Sequence, residues 1–297
     1  MAMTHPAALP HRIEAQRRRA VAGYPDLWRR LTADWQADSP LDAAWLLYSA
    51  NYLLRTQGVR WAIDPLTLGW RLPEAPPVPV ERDLLPLSFV VLTHCHADHL
   101  DRRLLRSLNR SSILWIVPEC LRSTLVADAG LRRDRIEVAG PGEPIQIGPL
   151  RITILPGLHD ERPWRSGDGS AIGRRRTIPG LALAAEFGGR QWLFPGDTRT
   201  YAPPPWPRLD PLDGVFAHLW LGAGSAMNPA PPLRPAFCRF VLALGAPRVV
   251  LTHLEEFGRG AEDFWEEGQA EGVRHCLHEL DDRVQVEIAR MGDRVSL

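Results

Sequence analysis

The stretch that most constrains this chain is Val90-Val91-Leu92-Thr93-His94-Cys95-His96-Ala97-Asp98-His99-Leu100-Asp101. It sets three imidazoles and a carboxylate within six positions, directly behind an apolar, β-branched run that reads as a buried strand. Borderline-soft divalent ions take neutral imidazole nitrogens and carboxylate oxygens. Residues two apart on an extended strand end point the same way, so His94 and His96 can grip one ion, leaving Asp98 and His99, past the turn, to face a second. Scattered surface histidines are the plain alternative, but ten histidines in 297 residues seldom fall into His-x-His-x-Asp-His by chance.

The pattern recurs. Val249-Val250-Leu251-Thr252-His253 repeats Val90 to His94 letter for letter, which suggests two related halves. Two more apolar runs end in a candidate ligand: Ile152-Thr153-Ile154-Leu155-Pro156-Gly157-Leu158-His159 and Trp192-Leu193-Phe194-Pro195-Gly196-Asp197. Ligands gathered at strand ends are where a sheet-based enzyme keeps its site. A carboxylate has two oxygens and can bridge two ions, which a neutral histidine cannot, so Asp197 is the natural shared ligand.

Taken in order, Asp64 in Ile63-Asp64-Pro65, the His-x-His-x-Asp-His segment, His159, Asp197 in Gly196-Asp197-Thr198, and His253 resemble the metallo-β-lactamase superfamily, over residues 44 to 297. His99-Leu100-Asp101, Gly196-Asp197-Thr198 and Met227-Asn228-Pro229 look most like the branch that contains ascorbate-6-phosphate lactonase and N-acyl-phosphatidylethanolamine phospholipase D. The resemblance implies an α/β fold, a four-layer αββα sandwich. It also implies that His94, His96 and His159 hold one ion, that Asp98, His99 and His253 hold the other, and that Asp197 bridges them about 3.5–4 Å apart. Asp64 would then support the site from behind. A water shared by the two ions becomes the nucleophile, so Asp98 and Asp197 count as catalytic as well as metal-ligating. Zinc is the default for so many imidazoles, and manganese or iron also suit the set.

Charge and composition narrow the partners. Net charge is zero and the sequence pI is near 7.2, so no global field draws in nucleic acid or an anionic membrane. Cys95, Cys120, Cys238 and Cys276 are widely spaced, which favours free thiols in a reducing compartment. Cys95 should point away from the ligands on either side of it. The first residues carry Arg12, Arg17, Arg18 and Arg19 without a long apolar core, unlike a secretory signal. No segment approaches the roughly 18 apolar residues that a membrane span needs. These features predict a cytoplasmic protein.

The elements alternate in a way that suggests strands backed by helices. Leu27, Trp28, Leu31 and Trp35 share one face of a helix over 25–35, and residues 1–42 read as a helical extension ahead of a main domain over 43–297. Strands are expected over 43–54, 59–63, 113–117, 136–138, 145–147, 150–155, 180–187, 190–194, 212–219 and 248–252, with 284–288 as the last. Helices are expected over 102–109, 120–129, 235–244 and 262–280. The loop after His159 carries Arg162, Arg165, Arg174, Arg175 and Arg176, whose guanidinium forks suit phosphate or carboxylate; Arg162, Arg174, Arg175 and Arg176 are the substrate-binding candidates. His218, near the end of a strand, is a candidate proton donor to the leaving group, against the alternative of a core histidine. Eleven tryptophans fit core filling, with Trp164, Trp206 and Trp220 placed to ring the site.

The lead reading is a dinuclear metal hydrolase that cleaves an ester, lactone or phosphodiester in a small or lipid-like substrate. A nucleic-acid phosphodiesterase resembling the tRNA 3′-processing endonucleases shares the histidine motif, but the neutral charge and the lack of a long basic arm weigh against it. A di-iron redox enzyme would place glutamate where this chain has His96, as the flavodiiron oxidoreductases of this fold do. A non-catalytic metal-binding protein completes the alternatives. Oligomeric state is left open, and an oligomer is compatible with everything above.

Overall fold

The computed structural model describes residues 8–142, 144–161, 164–165, 171–172, 176–207, 209, 211–219, 233–254, 256–260 and 267–297. A first series of elements comprises α1 (Ala8–Gln36), β1 (Ala43–Leu46), β2 (Tyr52–Thr56), β3 (Val59–Ile63), α2 (Leu68–Arg71), α3 (Val80–Asp83), β4 (Phe89–Val91), α4 (Arg102–Ser107), β5 (Leu114–Val117), α5 (Glu119–Ala129) and β6 (Ile136–Val138). A second comprises β7 (Ile145–Ile147), β8 (Leu150–Pro156), the two-residue strands β9 (Asp160–Glu161), β10 (Trp164–Arg165), β11 (Ala171–Ile172) and β12 (Arg176–Thr177), then β13 (Leu181–Phe187), β14 (Arg190–Phe194), β15 (Gly214–His218), α6 (Leu233–Ala243), β16 (Arg248–Thr252), α7 (Glu267–Leu280), β17 (Gln285–Ile288) and β18 (Arg294–Ser296).

The strands form two seven-stranded sheets, in the orders β18-β1-β2-β3-β4-β5-β6 and β17-β16-β15-β14-β13-β8-β7. Each is antiparallel across four strands and parallel across the rest: β18 to β3 and then β3 to β6 in one, β7 to β14 and then β14 to β17 in the other. Parallel neighbours need a crossover, supplied by α2 to α7 for the parallel pairs other than β14–β15, which a connection without a helix among the described residues joins. The two halves therefore match in architecture. The repeated pentapeptide does not occupy equivalent places, because β4 is the first strand added in parallel in its sheet and β16 the second.

Three apolar clusters separate four layers, as expected of an αββα sandwich. Between the sheets, Trp61 stacks on Phe89 with ring centroids 5.1 Å apart and Phe194 on Phe216 at 4.7 Å, joined by Ile63, Val91, Ile152, Leu183 and Val250. Outside the first sheet, Tyr24, Trp28, Leu31 and Trp35 of α1 pack with Leu104, Leu105, Leu121 and Leu125 against Trp45, Leu53, Val90 and Trp115. Outside the second, Phe237 and Val241 of α6 and Val273 and Leu277 of α7 cover Val215, Val249 and Leu251. Six of the tryptophans are fully buried, so most of this residue type fills core. The indole of Trp28 donates to Asp83 and that of Trp35 to the Leu54 carbonyl, which satisfies those two buried N–H groups.

The structure differs from the sequence-based expectation in several places, three of which concern the main elements. The expected strand over 43–54 is a hairpin, β1 and β2, because the Asn51 side chain accepts from the Ser49 and Ala50 amides and turns the chain between them. The helix expected from Pro25 begins at Ala8, with Pro25 inside it. Strand β17 is not the last: β18 returns to the first sheet and pairs with β1. Among the described residues no helix is long and apolar enough to cross a membrane.

Candidate metal centre

Strands β3, β4, β8, β14, β15 and β16 all release the chain at one end of the sandwich, and the residues that follow them meet there. Ligand atoms of His94, His96, His159 and Asp197 lie within 4.8 Å of one another, as do those of Asp98, His99 and His253. The first set has imidazole centroids 4.7–4.9 Å apart. Asp197 touches both sets: its Oδ2 is 3.8 Å from His94 Nε2, and its Oδ1 is 3.2 Å from His99 Nε2 and 3.7 Å from His253 Nε2. All seven residues expected to ligate are thus brought together.

The details of their presentation were not all foreseen. Strand β4 stops at Val91, so His94 and His96 are not placed by strand alternation but by a loop. That loop is fixed by Asp64, buried and in the left-handed region at φ 45°. Its Oδ1 accepts the Thr93 amide at 2.6 Å; its Oδ2 accepts the Thr93 hydroxyl and His99 Nδ1, the latter at 2.7 Å. Both carboxylate oxygens are occupied, so Asp64 sits behind the ligands. His94 Nδ1 lies 3.0 Å from the same Thr93 hydroxyl. The chain His94 Nδ1–H to Thr93 to Asp64 places the His94 proton on Nδ1 and turns the Nε2 lone pair inward, as Asp64 does for His99. His253 is also left-handed, at φ 64°, with its amide on the Ser49 carbonyl. Gly157, ahead of His159, has no room for a Cβ, which would meet the Gly180 carbonyl carbon at 2.8 Å. Gly196, at φ 66°, makes the turn that aims Asp197.

Residues without a motif complete the framework. Asn51, buried, donates to the carbonyls of Asp64 and Asp98 at 2.8 and 2.9 Å while its oxygen holds the β1–β2 turn. Asp101 caps α4 through the Arg103 and Leu104 amides and also accepts from Thr67. Arg199 comes within 3.9 Å of Asp197 Oδ2 and Arg259 within 3.5 Å of Asp98 Oδ2. Nothing periodic marks these residues in sequence; Asp101, in His99-Leu100-Asp101, and Arg199, directly after Gly-Asp-Thr, are the ones with a signal. His218 is buried between Asp197 and Tyr52, with Nδ1 3.1 Å from Asp197 Oδ1 and Nε2 2.8 Å from the Tyr52 hydroxyl, which also meets Thr252 at 2.7 Å. Arg162, Arg174 and Arg175 lie outside the described residues, as do Trp220 and Met227-Asn228-Pro229. Only the backbone of Arg176 is described, in β12. Trp206 donates to the Pro156 carbonyl. Cys95 is exposed and belongs to neither ligand set.

The chemistry of the pocket suits cations. Among the described residues, Nε2 of His94, His99 and His253 and Oδ2 of Asp98 are buried without a hydrogen-bond partner, an arrangement costly for polar atoms unless a cation completes it. Burial holds His94 and His159 well below the ordinary imidazole range, His159 at about 3, in the neutral form that ligates metal. Burial alone would raise the Asp197 carboxyl, but His253 and His99 outweigh it and keep the group ionised. Burial likewise opposes Asp98, and His253 and His99 prevail. Neutral His94 and His159 and ionised Asp98 and Asp197 are donors of the kind that divalent ions take, while Asp197 and Asp64, against burial, hold His99 well above the ordinary imidazole range, with a proton that a bound cation would displace.

Comparison with known proteins gives the same answer. Residues 60–254 match the model of the beta-lactamase superfamily domain. N-acyl-phosphatidylethanolamine-hydrolyzing phospholipase D 1 of Caenorhabditis elegans is 28% identical over 182 residues, 56% of this chain; the match spans 49% of that protein, about half its length. The metallo-beta-lactamase fold protein YhfI from Bacillus subtilis superposes with a TM-score of 0.58 at 14% identity, covering 87% of this chain and 100% of that one. CmlA, a diiron β-hydroxylase from Streptomyces venezuelae, does so with a TM-score of 0.58 at 18% identity, covering 88% and 55%. Identities this low speak to the fold alone. With the family model matching residues 60–254 and the histidine and aspartate sets beneath it, this chain belongs to the beta-lactamase superfamily and has the metallo-β-lactamase fold.

Proposed function

We propose that the protein uses two divalent ions, zinc in the first instance, to hydrolyse an ester, lactone or phosphodiester bond in a small or lipid-like substrate. The observation that carries the reading is Asp197, one oxygen of which faces the His94 set and the other the His99 and His253 set. His94, His96 and His159 would hold one ion, Asp98, His99 and His253 the other, and Asp197 would serve both. When bound, such a pair supplies Lewis acidity and lowers the pKa of water towards neutrality.

The chain's own residues do the rest. An ionised Asp197 Oδ1 can only accept, which places the His218 proton on Nδ1 and leaves Nε2 to accept from the Tyr52 hydroxyl. With that proton committed, we assign His218 to orienting Asp197, in place of the proton-donor part that its sequence position suggested. Asp64 does the same for His99. Support for a lipid-like substrate comes from the phospholipase D relative, which acts on N-acyl-phosphatidylethanolamine.

The test is a screen of metal-free protein reconstituted with zinc, manganese or iron against chromogenic phosphodiesters, lactones and esters. Turnover that follows the stoichiometry of two ions is the expected result. Full turnover by protein stripped of metal would overturn the proposal, and oxygen consumption by an iron-loaded form without hydrolysis would replace it with redox chemistry.

A further inference from the structure

Helices α6 and α7 lie together over the outside of the second sheet, where Phe237, Val241, Val273 and Leu277 are buried. Gly272 of α7 lets them close up, since a Cβ there would meet the Arg234 guanidinium of α6 at 3.1 Å. Cys238 of α6 is buried in this seam, and its Sγ lies 3.8 Å from the Val273 carbonyl oxygen of α7. Residues three apart on a helix share a face, so Cys276 follows Val273 onto the side that meets α6. Half-buried, Cys276 packs on the same apolar cluster, with its thiol within hydrogen-bonding reach of the Cys238 sulfur. Two cysteines from distant parts of the sequence are thus neighbours across a helix pair.

The two sulfurs differ in what reaches them. Cys238 is enclosed, and burial first, then its hydrogen bond with Cys276, push its thiol up, so it keeps its proton. Cys276 is the one that a reagent in solution meets. Between the two helices the chain runs through β16 to His253. A bond between these sulfurs would close a covalent loop around the strand that presents a histidine of the metal centre.

We propose that Cys238 and Cys276 are a site of reversible disulfide formation by peroxide, which locks α6 to α7 and ties down the segment that carries His253. Peroxide delivers one oxygen to the Cys276 sulfur, giving a sulfenic acid and releasing water. The Cys238 sulfur then bonds to that sulfur, and the hydroxyl leaves with the Cys238 proton as a second water. The two thiols give up two electrons, and one peroxide is reduced to two waters. A dithiol reductant reverses the bond by exchange. The inference is independent of the hydrolytic reading.

The test is to treat the full chain with hydrogen peroxide, block the remaining thiols with N-ethylmaleimide and map the peptides by mass spectrometry without reduction. A Cys238–Cys276 cross-linked peptide is expected, lighter by two hydrogen atoms than its two halves and lost on treatment with dithiothreitol. The cross-link should raise the melting temperature by roughly 5–10 °C, because it removes loop-closure entropy from the unfolded chain. Cys276→Ser, half-buried and of similar shape, should show neither the cross-link nor the rise after the same treatment. Should that variant fail to fold, the parent before and after dithiothreitol carries the same comparison. Amide exchange at His253 and Leu254 should slow in the oxidised chain. Oxidation of Cys276 to sulfinic or sulfonic acid, with Cys238 still open to N-ethylmaleimide once unfolded, overturns the proposal. So do cross-links that join Cys95 or Cys120 to either residue in place of the expected pair. A cross-link that forms with no rise in melting temperature overturns the lock, and unchanged exchange at His253 and Leu254 overturns its reach to the metal centre.

Discussion

Asp64→Asn is a clean probe of how the centre is built, because asparagine tolerates the left-handed backbone that Asp64 occupies at φ 45° and adds no volume. One oxygen survives to accept the Thr93 amide. The other, which receives both the Thr93 hydroxyl and His99 Nδ1, becomes an NH2 group that faces two donors. His99 can escape the clash only by moving its proton to Nε2, the nitrogen that points at Asp197 from 3.2 Å and that a cation would need. Losing an outer partner of this kind costs about 10–100-fold in metal affinity, or roughly 1.4–2.8 kcal/mol. The His94 set loses only the indirect hold that runs through Thr93, so the larger loss should fall on the ion of the His99 set. Competition with a chromogenic chelator, read with metal analysis at each step, would show a biphasic release for the variant. The melting temperature of the metal-free protein is the control for folding. Indistinguishable affinities for both ions in variant and parent would refute the argument that Asp64 fixes the His99 tautomer.

Asp197→Ala should abolish turnover of any substrate found and lower metal content, since it removes a ligand from both sets at once; undiminished activity with full metal would exclude the shared role. Asn51→Ala takes four hydrogen bonds from a fully buried position. At about 1 kcal/mol each, this destabilises the fold by roughly 2–4 kcal/mol after water fills part of the gap, and urea unfolding at matched metal content is the check. Replacing Arg174, Arg175 and Arg176 together with glutamine should raise the KM for a phosphorylated or carboxylated substrate; an unchanged KM would remove that cluster from substrate binding.

How much of this could be read in advance follows from what leaves a periodic trace. Buried strands that end in His or Asp announce themselves, so the residues that meet at the centre and most strands were legible, down to the hairpin at Gly188-Gly189, where both glycines take positive φ. The apolar run over 43–54 hid a hairpin because β1 and β2 are buried on both faces and so show no alternation. The first turns of α1 lack an apolar stripe, with only Ile13 buried before Tyr24 among the described residues, so the pattern points to a later start. Strand β18 is three residues long and takes its meaning from a distant partner, β1. Asn51 and Arg259 are single polar residues, and only their company in space distinguishes them from ordinary loop chemistry.

The two ligand sets also have a mechanical side. His94, His96, Asp98 and His99 follow a strand of one sheet, whereas His159, Asp197 and His253 follow strands of the other, and each set draws from both. Any ion held there rivets the two halves of the sandwich across the seam between them. Chelation should therefore let the sheets slide and breathe at that end before either one unravels, so amide exchange would quicken around Thr93 and Leu181, whose backbone bond crosses the seam, well ahead of the interior of each sheet.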